Sequence, residues 1–131
     1  MSKRRRLVIP KGMQALYDQF HFAPAVRVGK NVHCSGVVGS SPTGTLDPDP
    51  AAQISQAFEN LRTVLEEAGA SLEDLVELST FHVGMSEHIG IFMQVKDAFL
   101  REPYPTWTAV GVAELAFGAL VEIKGTAYIS R

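Results

Sequence analysis

The sequence predicts an α+β protein in which a single β-sheet carries two helices packed on one face. Its 131 residues are the size of one domain, and no repeat or linker divides them, so we expect a single domain over residues 1–131. Two segments place apolar residues three and four positions apart, as amphipathic helices do. Other segments between turns are rich in valine, isoleucine, threonine and aromatic residues, which favour strands.

The first predicted helix begins at Pro50 and ends before Gly69. Asp49 can cap its first turn, and proline is well suited to the first helical position. Gly69 stops the helix because glycine tolerates a positive φ. The apolar stripe recurs at threes and fours and contains Ile54, Ala57, Phe58, Leu61, Val64, Leu65 and Ala68.

The second predicted helix covers residues 86–100. Pro103 and Pro105 prevent it from continuing, because proline lacks the backbone N–H that a helix interior requires. The apolar residues on one face of this helix are Ile91, Phe92, Val95, Ala98 and Phe99.

The remaining elements are predicted strands. Residues 25–28 and 32–35 flank a short turn and indicate a hairpin, with Gly29 where a positive φ is expected. Three further strands are predicted over residues 75–83, 106–112 and 120–130, and residues 7–9 add an edge strand.

The two faces of the final predicted strand differ. One face, expected under the helices, holds Val121, Ile123, Gly125, Ala127 and Ile129. The other face is mixed and holds Leu120, Glu122, Lys124, Thr126 and Tyr128. Because two helices can cover only one face of the sheet, the mixed face predicts an oligomer with sites between subunits.

Composition and charge exclude several classes of protein. Hydrophobic residues at 46% and charged residues at 20% are typical of a globular chain and not of a disordered one. A net charge of −2 argues against a dedicated nucleic-acid binder, and residues 1–6 are expected to form a flexible basic tip. The apolar run at 7–9 is too short for a signal peptide or a membrane span. With one cysteine and therefore no internal disulfide, the chain is expected in the cytoplasm, without a membrane partner.

No residue pattern indicates a metal or a cofactor. The four histidines are scattered, and the glycines lack dinucleotide-binding or phosphate-loop spacing. Cys34 lies in a predicted strand without a base beside it, so we expect a buried, unreactive thiol.

Several segments together resemble the RidA/YjgF family, whose members are also described as endoribonuclease L-PSP proteins. The hairpin has Val-Gly-Lys-Asn at 28–31, followed by Cys-Ser-Gly at 34–36. The first helix has Gln-Ala-Phe-Glu-Asn-Leu at 56–61 and Val-Leu-Glu-Glu-Ala-Gly at 64–69. The end of the chain has Val-Gly-Val-Ala-Glu-Leu at 110–115 and Gly-Ala-Leu-Val-Glu-Ile at 118–123.

The resemblance implies a chorismate-mutase-like fold with a mixed sheet, assembled as a homotrimer with three clefts between subunits. Family members with deaminase activity hydrolyse reactive 2-imino acids to 2-keto acids and ammonia. In those members an arginine binds the substrate carboxylate, while a glutamate and a backbone carbonyl orient the attacking water. The resemblance therefore implies a small-molecule metabolite as the ligand.

Carried to this chain, the resemblance makes Glu122 the catalytic glutamate. It gives the water-orienting carbonyl to Ala109. Ser35 and Gly36 match the serine and glycine that line the same cleft.

Two positions depart from the family pattern. Trp107 stands where the arginine belongs, and Phe22 stands where the family usually has tyrosine. An indole has one N–H and no charge, so it cannot clamp a carboxylate as a guanidinium does. We expect these two aromatic side chains to bind an apolar or aromatic part of an altered substrate. The sequence leaves open whether Arg27, Arg101 or Lys124 supplies the missing cation.

Simpler interpretations of the site residues are also open. Glu122 can be an exposed carboxylate near Lys124, and Trp107 can pack in the core or in an interface. Three functions follow: an imine or enamine deaminase with altered substrate, a non-catalytic metabolite-binding or regulatory trimer, and an RNA-directed, endoribonuclease-like activity.

Overall fold

The computed structural model describes residues 4–131, which form strands, three helices and two short 3₁₀ turns. The helices are α1 (Gln14–Phe20), α2 (Pro50–Glu67) and α3 (Met85–Phe99). The 3₁₀ turns, Leu72–Asp74 and Ala116–Gly118, precede the fifth and seventh strands. The strands are β1 (Arg6–Val8), β2 (Ala25–Val28), β3 (Asn31–Cys34), β4 (Val37–Val38), β5 (Leu75–His82), β6 (Thr106–Gly111) and β7 (Val121–Tyr128).

All the strands belong to one sheet in the order β1-β2-β3-β7-β5-β6, and the short β4 also pairs with β7. Neighbouring strands are antiparallel except β5 and β6, which run parallel. The predicted single mixed sheet is confirmed. β7 lies at its centre although it comes last in the chain, because it pairs with β3, β4 and β5.

Helices α2 and α3 pack against one face of the sheet, as predicted. The Asp49 carboxylate accepts a hydrogen bond from the Ala52 N–H at 3.0 Å, and Gly69 follows the helix with a φ of +89°. Phe58 from α2 and Phe92 from α3 are fully buried, and their ring centroids lie 5.7 Å apart. Burial of these apolar side chains is the main stabilisation of the fold.

The two faces of β7 differ as the sequence predicts. Val121, Ile123 and Ala127 are at most 1% exposed and lie under the helices. Glu122, on the opposite face, is half-buried, and the exposed apolar side chains of the paired strands on that face are Leu7, Val28, Val110 and Tyr128. Hereafter the sheet surface that faces away from α2 and α3 is called the open face.

Helix α1 differs from the prediction, which had two helices and not three. None of its residues is buried, and Met13 before it makes no side-chain cap bond, so neither an apolar stripe nor a cap marks this helix in the sequence. It ends at His21, which has a φ of 61° and donates its N–H to the Tyr17 carbonyl at 3.1 Å. Over residues 4–131, no helix combines the length and hydropathy needed to cross a membrane.

The predicted flexible tip over residues 1–6 differs in part. Arg6 begins β1, and its Nη2 donates to the Ala68 carbonyl at 3.2 Å. Arg27 donates to the same carbonyl at 2.8 Å. Both cations lie at the C-terminal end of α2, where positive charge is stabilised by the helix dipole. Arg6 is thus part of the sheet, Arg4 and Arg5 before it are exposed, and the prediction for residues 1–3 lies outside the described residues.

Candidate functional site

Glu122 occupies the middle of the central strand. In register, it faces Val38 of β4 on one side and Phe81 of β5 on the other, and its side chain projects from the open face. Within residues 4–131, its carboxylate forms no ion pair and accepts no hydrogen bond. A half-buried carboxylate without a partner is free to interact with a ligand or a water molecule.

The loop between β3 and β4 passes directly against this carboxylate. A Cβ added at Gly36 would lie 2.8 Å from the Glu122 carboxyl carbon, closer than real Cβ contacts allow. Glycine is therefore required here for the carboxylate to lie against the backbone. Ser35 anchors the loop, because its hydroxyl donates to the Ala23 carbonyl at 2.7 Å and its N–H donates to the Pro24 carbonyl at 2.9 Å.

A cavity of about 510 Å³, here called the apolar cavity, brings four of the predicted site residues together: Phe22, Ser35, Gly36 and Glu122. Most of its other lining residues are apolar. Further lining residues, which the sequence did not indicate, come from α1 and from the turn before β7: Leu16, Phe20, Ala116 and Phe117. The apolar pair four residues apart in α1 is the one signal that could have indicated a lining helix.

A second concavity, of about 910 Å³, lies on the open face and also includes Glu122. It is called the open-face cavity, and its ionisable lining residues besides Glu122 are His33, Cys34, Glu77 and Lys124. Glu122 therefore lies where an apolar cavity and a polar, charged cavity meet.

Of the three cations considered as replacements for the family arginine, Lys124 is the one that lines a cavity with Glu122. Arg27 donates to the carbonyls of Gly29 and Ala68, both at 2.8 Å. Arg101 lines a separate cavity near the end of α3. The structure thus places Arg27 and Arg101 away from Glu122.

Within one chain, Trp107 does not lie beside Glu122. The resemblance implies a cleft between subunits, and a single chain does not contain such a cleft. Trp107 pairs in register with Leu78, which is 1% exposed beneath the helices, so the indole is on the helix-covered face. The ring stacks on Phe92 at 5.9 Å, and the Lys96 ammonium lies 4.7 Å from the ring centroid. The packing interpretation of Trp107 fits these contacts.

The indole N–H belongs to a buried polar chain. It donates to Thr80 Oγ1 at 2.9 Å, and Thr80 Oγ1 lies 2.7 Å from His82 Nε2. His82 is 2% exposed, and burial lowers the pKa of its imidazole. A neutral His82 that accepts the Thr80 hydroxyl proton at Nε2 satisfies all three groups.

Ala109 lies on the outer strand of the sheet. The Val112 N–H donates to the His82 carbonyl at 2.8 Å, so the peptide groups of Val110 and Val112 point toward β5. In a parallel strand pair, the backbone N–H and C=O groups of successive residues point to opposite sides of the strand. The Ala109 carbonyl therefore points away from β5, to the free edge of the sheet. Strand β5 separates it from Glu122 in the same chain.

Cys34 is 3% exposed, and burial raises the pKa of its thiol to about 12, so it is protonated and unreactive at neutral pH. In the described part of the chain, no three His, Cys, Asp or Glu side chains are grouped so that they could hold a metal ion.

Comparison with known proteins identifies the family of this chain. The family model described as Endoribonuclease L-PSP matches residues 12–129. The chain belongs to this family. The RidA/YjgF resemblance is thereby confirmed.

Relatives across the RidA family cover nearly the whole chain. The RutC family protein YjgH of Escherichia coli K12 is 40% identical over 126 residues, which are 95% of each chain. A protein of Dermatophagoides farinae named 2-iminobutanoate/2-iminopropanoate deaminase is 32% identical over 131 residues, covering 98% of this chain and 99% of that one. A solved structure of protein YjgH has a TM-score of 0.88 and 38% identity over 98% of both chains. The RidA fold is therefore shown as well.

Proposed function

We propose that this RidA-family protein hydrolyses the C–N bond of a small enamine or imine. An enamine first tautomerises to the imine. Water then adds to the imine carbon while one of its protons passes to Glu122, and Glu122 returns that proton to the nitrogen. The hydroxyl proton of the resulting carbinolamine then passes through the same carboxylate to the nitrogen. The C–N bond breaks, which releases ammonia and a carbonyl compound and leaves Glu122 ionised again.

The unpartnered Glu122 carboxylate is the observation that carries this proposal. It lies between an apolar cavity that can hold an organic group and an open-face cavity that water can enter. A general base must reach the proton that it removes, and a carboxylate already engaged in an ion pair would be less available. Relatives named 2-iminobutanoate/2-iminopropanoate deaminase, at 32% and 27% identity, support the same chemistry.

The proposed assembly is a homotrimer, in which the free edge of β6 from one subunit approaches Glu122 of the next. This arrangement would bring the Ala109 carbonyl to the attacking water, which one chain alone does not do. Exposed apolar side chains on the open face, such as Val110 and Tyr128, support burial against a neighbour. Light scattering should give three times the chain mass of 14.2 kDa, whereas the mass of one chain would contradict the assembly.

Ammonia release from freshly generated imines tests the activity. The panel contains 2-iminobutanoate, which carries a carboxylate, and imines of similar size without one. The protein should release ammonia faster than the spontaneous hydrolysis of at least one member. Rates equal to the spontaneous rates for the whole panel, measured with correctly assembled protein, would rule out the proposed reaction.

Replacing Gly36 with alanine is expected to slow this hydrolysis by about 10²-fold, the effect of misplacing a catalytic group by roughly 1 Å. The new Cβ would occupy the position of the Glu122 carboxylate. The end of a glutamate side chain can rotate away, so the fold should persist, as a thermal unfolding curve can verify.

Gly90→Ala is the matched control for this substitution. Gly90 lies within α3, and a Cβ there meets no other atom within 4 Å. This variant should keep the wild-type rate and gain about 0.5–1 kcal/mol of stability, since alanine favours a helix more than glycine does. Equal rates for the two alanine variants would mean that the position of Glu122 does not matter.

A non-catalytic metabolite-binding trimer is the second candidate. It is favoured by Trp107, which stands at the arginine position of the family but uses its N–H on Thr80. Saturable binding of a small molecule without any ammonia release would select this candidate. The RNA-directed alternative rests on the basic residues at the start of the chain. Because Arg6, one of these residues, belongs to β1, we do not propose this activity.

A further inference from the structure

We infer that the apolar cavity takes a ligand with an aromatic or bulky apolar group and a protonated nitrogen, which pairs with Glu122, and that it rejects carboxylates. The inference deepens the proposed function, on whose site it rests. It names the substrate class as imines and enamines that lack a carboxylate. Its test measures binding and not turnover.

Charge is the first argument. Among the described residues that line the apolar cavity, Glu122 is the one ionisable side chain. A ligand that fills this cavity therefore meets a negative charge without a compensating cation. Lys124, two residues along β7, lines the open-face cavity instead and forms no ion pair with Glu122. A protonated imine or amine nitrogen is complementary to this charge, whereas a carboxylate is repelled.

The side-chain hydrogen-bond donors of the apolar cavity also disfavour a carboxylate ligand. Asn60 donates from Nδ2 to the carbonyls of Val38 and Ser40, at 2.9 and 2.8 Å, so both of its N–H groups are used. The Ser35 hydroxyl proton is used on Ala23. The Ser40 hydroxyl is then the remaining side-chain donor of the described lining. A buried carboxylate needs several donors, and the side chains of this cavity would supply at most one.

The shape and surface of the cavity favour an apolar group. Its volume of about 510 Å³ is within the range of small-molecule pockets. Three phenylalanine rings at its lining are strongly exposed: Phe20 at 62%, Phe22 at 40% and Phe117 at 81%. Phe117 also has a φ of +62°, a left-handed conformation that is unfavourable for a non-glycine residue. A ligand ring would remove this aromatic surface from water.

Binding of two matched probes tests the inference. At pH 7, 2-phenylethylamine carries a protonated nitrogen, and 3-phenylpropanoate presents a carboxylate on a chain of similar length. Isothermal titration with the full chain should give at least about ten-fold tighter binding of the amine, the effect of one charged hydrogen bond. Equal affinities, or tighter binding of 3-phenylpropanoate, would overturn the inference.

Two charge-neutralising variants locate the effect. Glu122→Gln should remove the preference for the amine, whereas Glu67→Gln should keep it. Glu67 is an exposed carboxylate at the end of α2 and lines none of the cavities described above, so it controls for a general change in surface charge. Amine binding that is unchanged in Glu122→Gln would refute the pairing. Because 2-phenylethylamine has no C=N bond, its binding is independent of hydrolysis.

The two proposals can fail separately. Selective amine binding without hydrolysis of any imine would reject the proposed reaction and support the ligand class. Hydrolysis of 2-iminobutanoate without amine binding would support the proposed reaction and reject the inferred ligand class. A neighbouring subunit that fills the apolar cavity would abolish binding of both probes and reject the inference.

Discussion

Replacing Glu122 with glutamine is expected to slow imine hydrolysis by about 10²- to 10⁴-fold, the contribution typical of a positioned general base. Glutamine keeps the length of the side chain and its close approach to Gly36. A neutral amide, however, cannot take a proton from the attacking water. Initial rates of ammonia release at matched substrate concentrations measure the effect.

Glu67→Gln serves as the control for this substitution. Glu67 is an exposed carboxylate at the end of α2 and lines neither of the cavities that include Glu122. Its neutralisation changes the net charge as much as Glu122→Gln does, and the rate should change little. A Glu122→Gln protein with the wild-type rate, or a control that loses as much activity, would contradict the assigned role.

Replacing Phe92 with alanine is expected to lower the free energy of unfolding by about 3–5 kcal/mol, the usual effect of truncating a buried phenylalanine. Phe92 is 0% exposed, and its ring contacts the rings of Phe58, His82 and Trp107. The substitution would leave a cavity between α3 and the sheet. Denaturant unfolding at fixed protein concentration measures the loss.

Met93→Ala is the matched control because Met93 follows Phe92 in α3 and is 44% exposed. Surface substitutions usually change stability by no more than about 0.5 kcal/mol. Trp107 gives a second measurement, since it is the one tryptophan of the chain and stacks on Phe92. Its fluorescence should shift in Phe92→Ala and not in Met93→Ala. Similar losses in both variants would mean that the Phe92 cluster is not the centre of the core.

Helices α2 and α3 and the alternation of β7 could be predicted because each depends on residues close in sequence. Asp49 and Gly69 bound α2 by local capping chemistry, and Glu122 falls on the open face by the two-residue period of a strand. Helix α1 could not be predicted because it is short, mostly exposed and uncapped. A helix of seven residues is too short to be stable through its own propensity, so the spacing within it carries little signal.

The residues that line the apolar cavity could be predicted in part from the sequence, whereas the position of Trp107 relative to Glu122 could not. The four predicted residues of the apolar cavity come from the segment before β2, from the loop between β3 and β4, and from β7, with which β3 and β4 pair. The relation of Trp107 to Glu122 depends on the register of β6 against β5 and of β5 against β7. A shift of one residue exchanges the faces of a strand, so no pattern within β6 alone could place the indole.

The central position of β7 also constrains how the protein folds as it is synthesised. Strands β1, β2 and β3 form one group and β5 and β6 another, and β7 is the strand that connects them. Because β7 follows all the other strands in the chain, a nascent polypeptide would hold two half-sheets with open inner edges until β7 leaves the ribosome. Such edges favour pairing with other chains. Productive maturation therefore requires the arrival of the same strand that delivers Glu122.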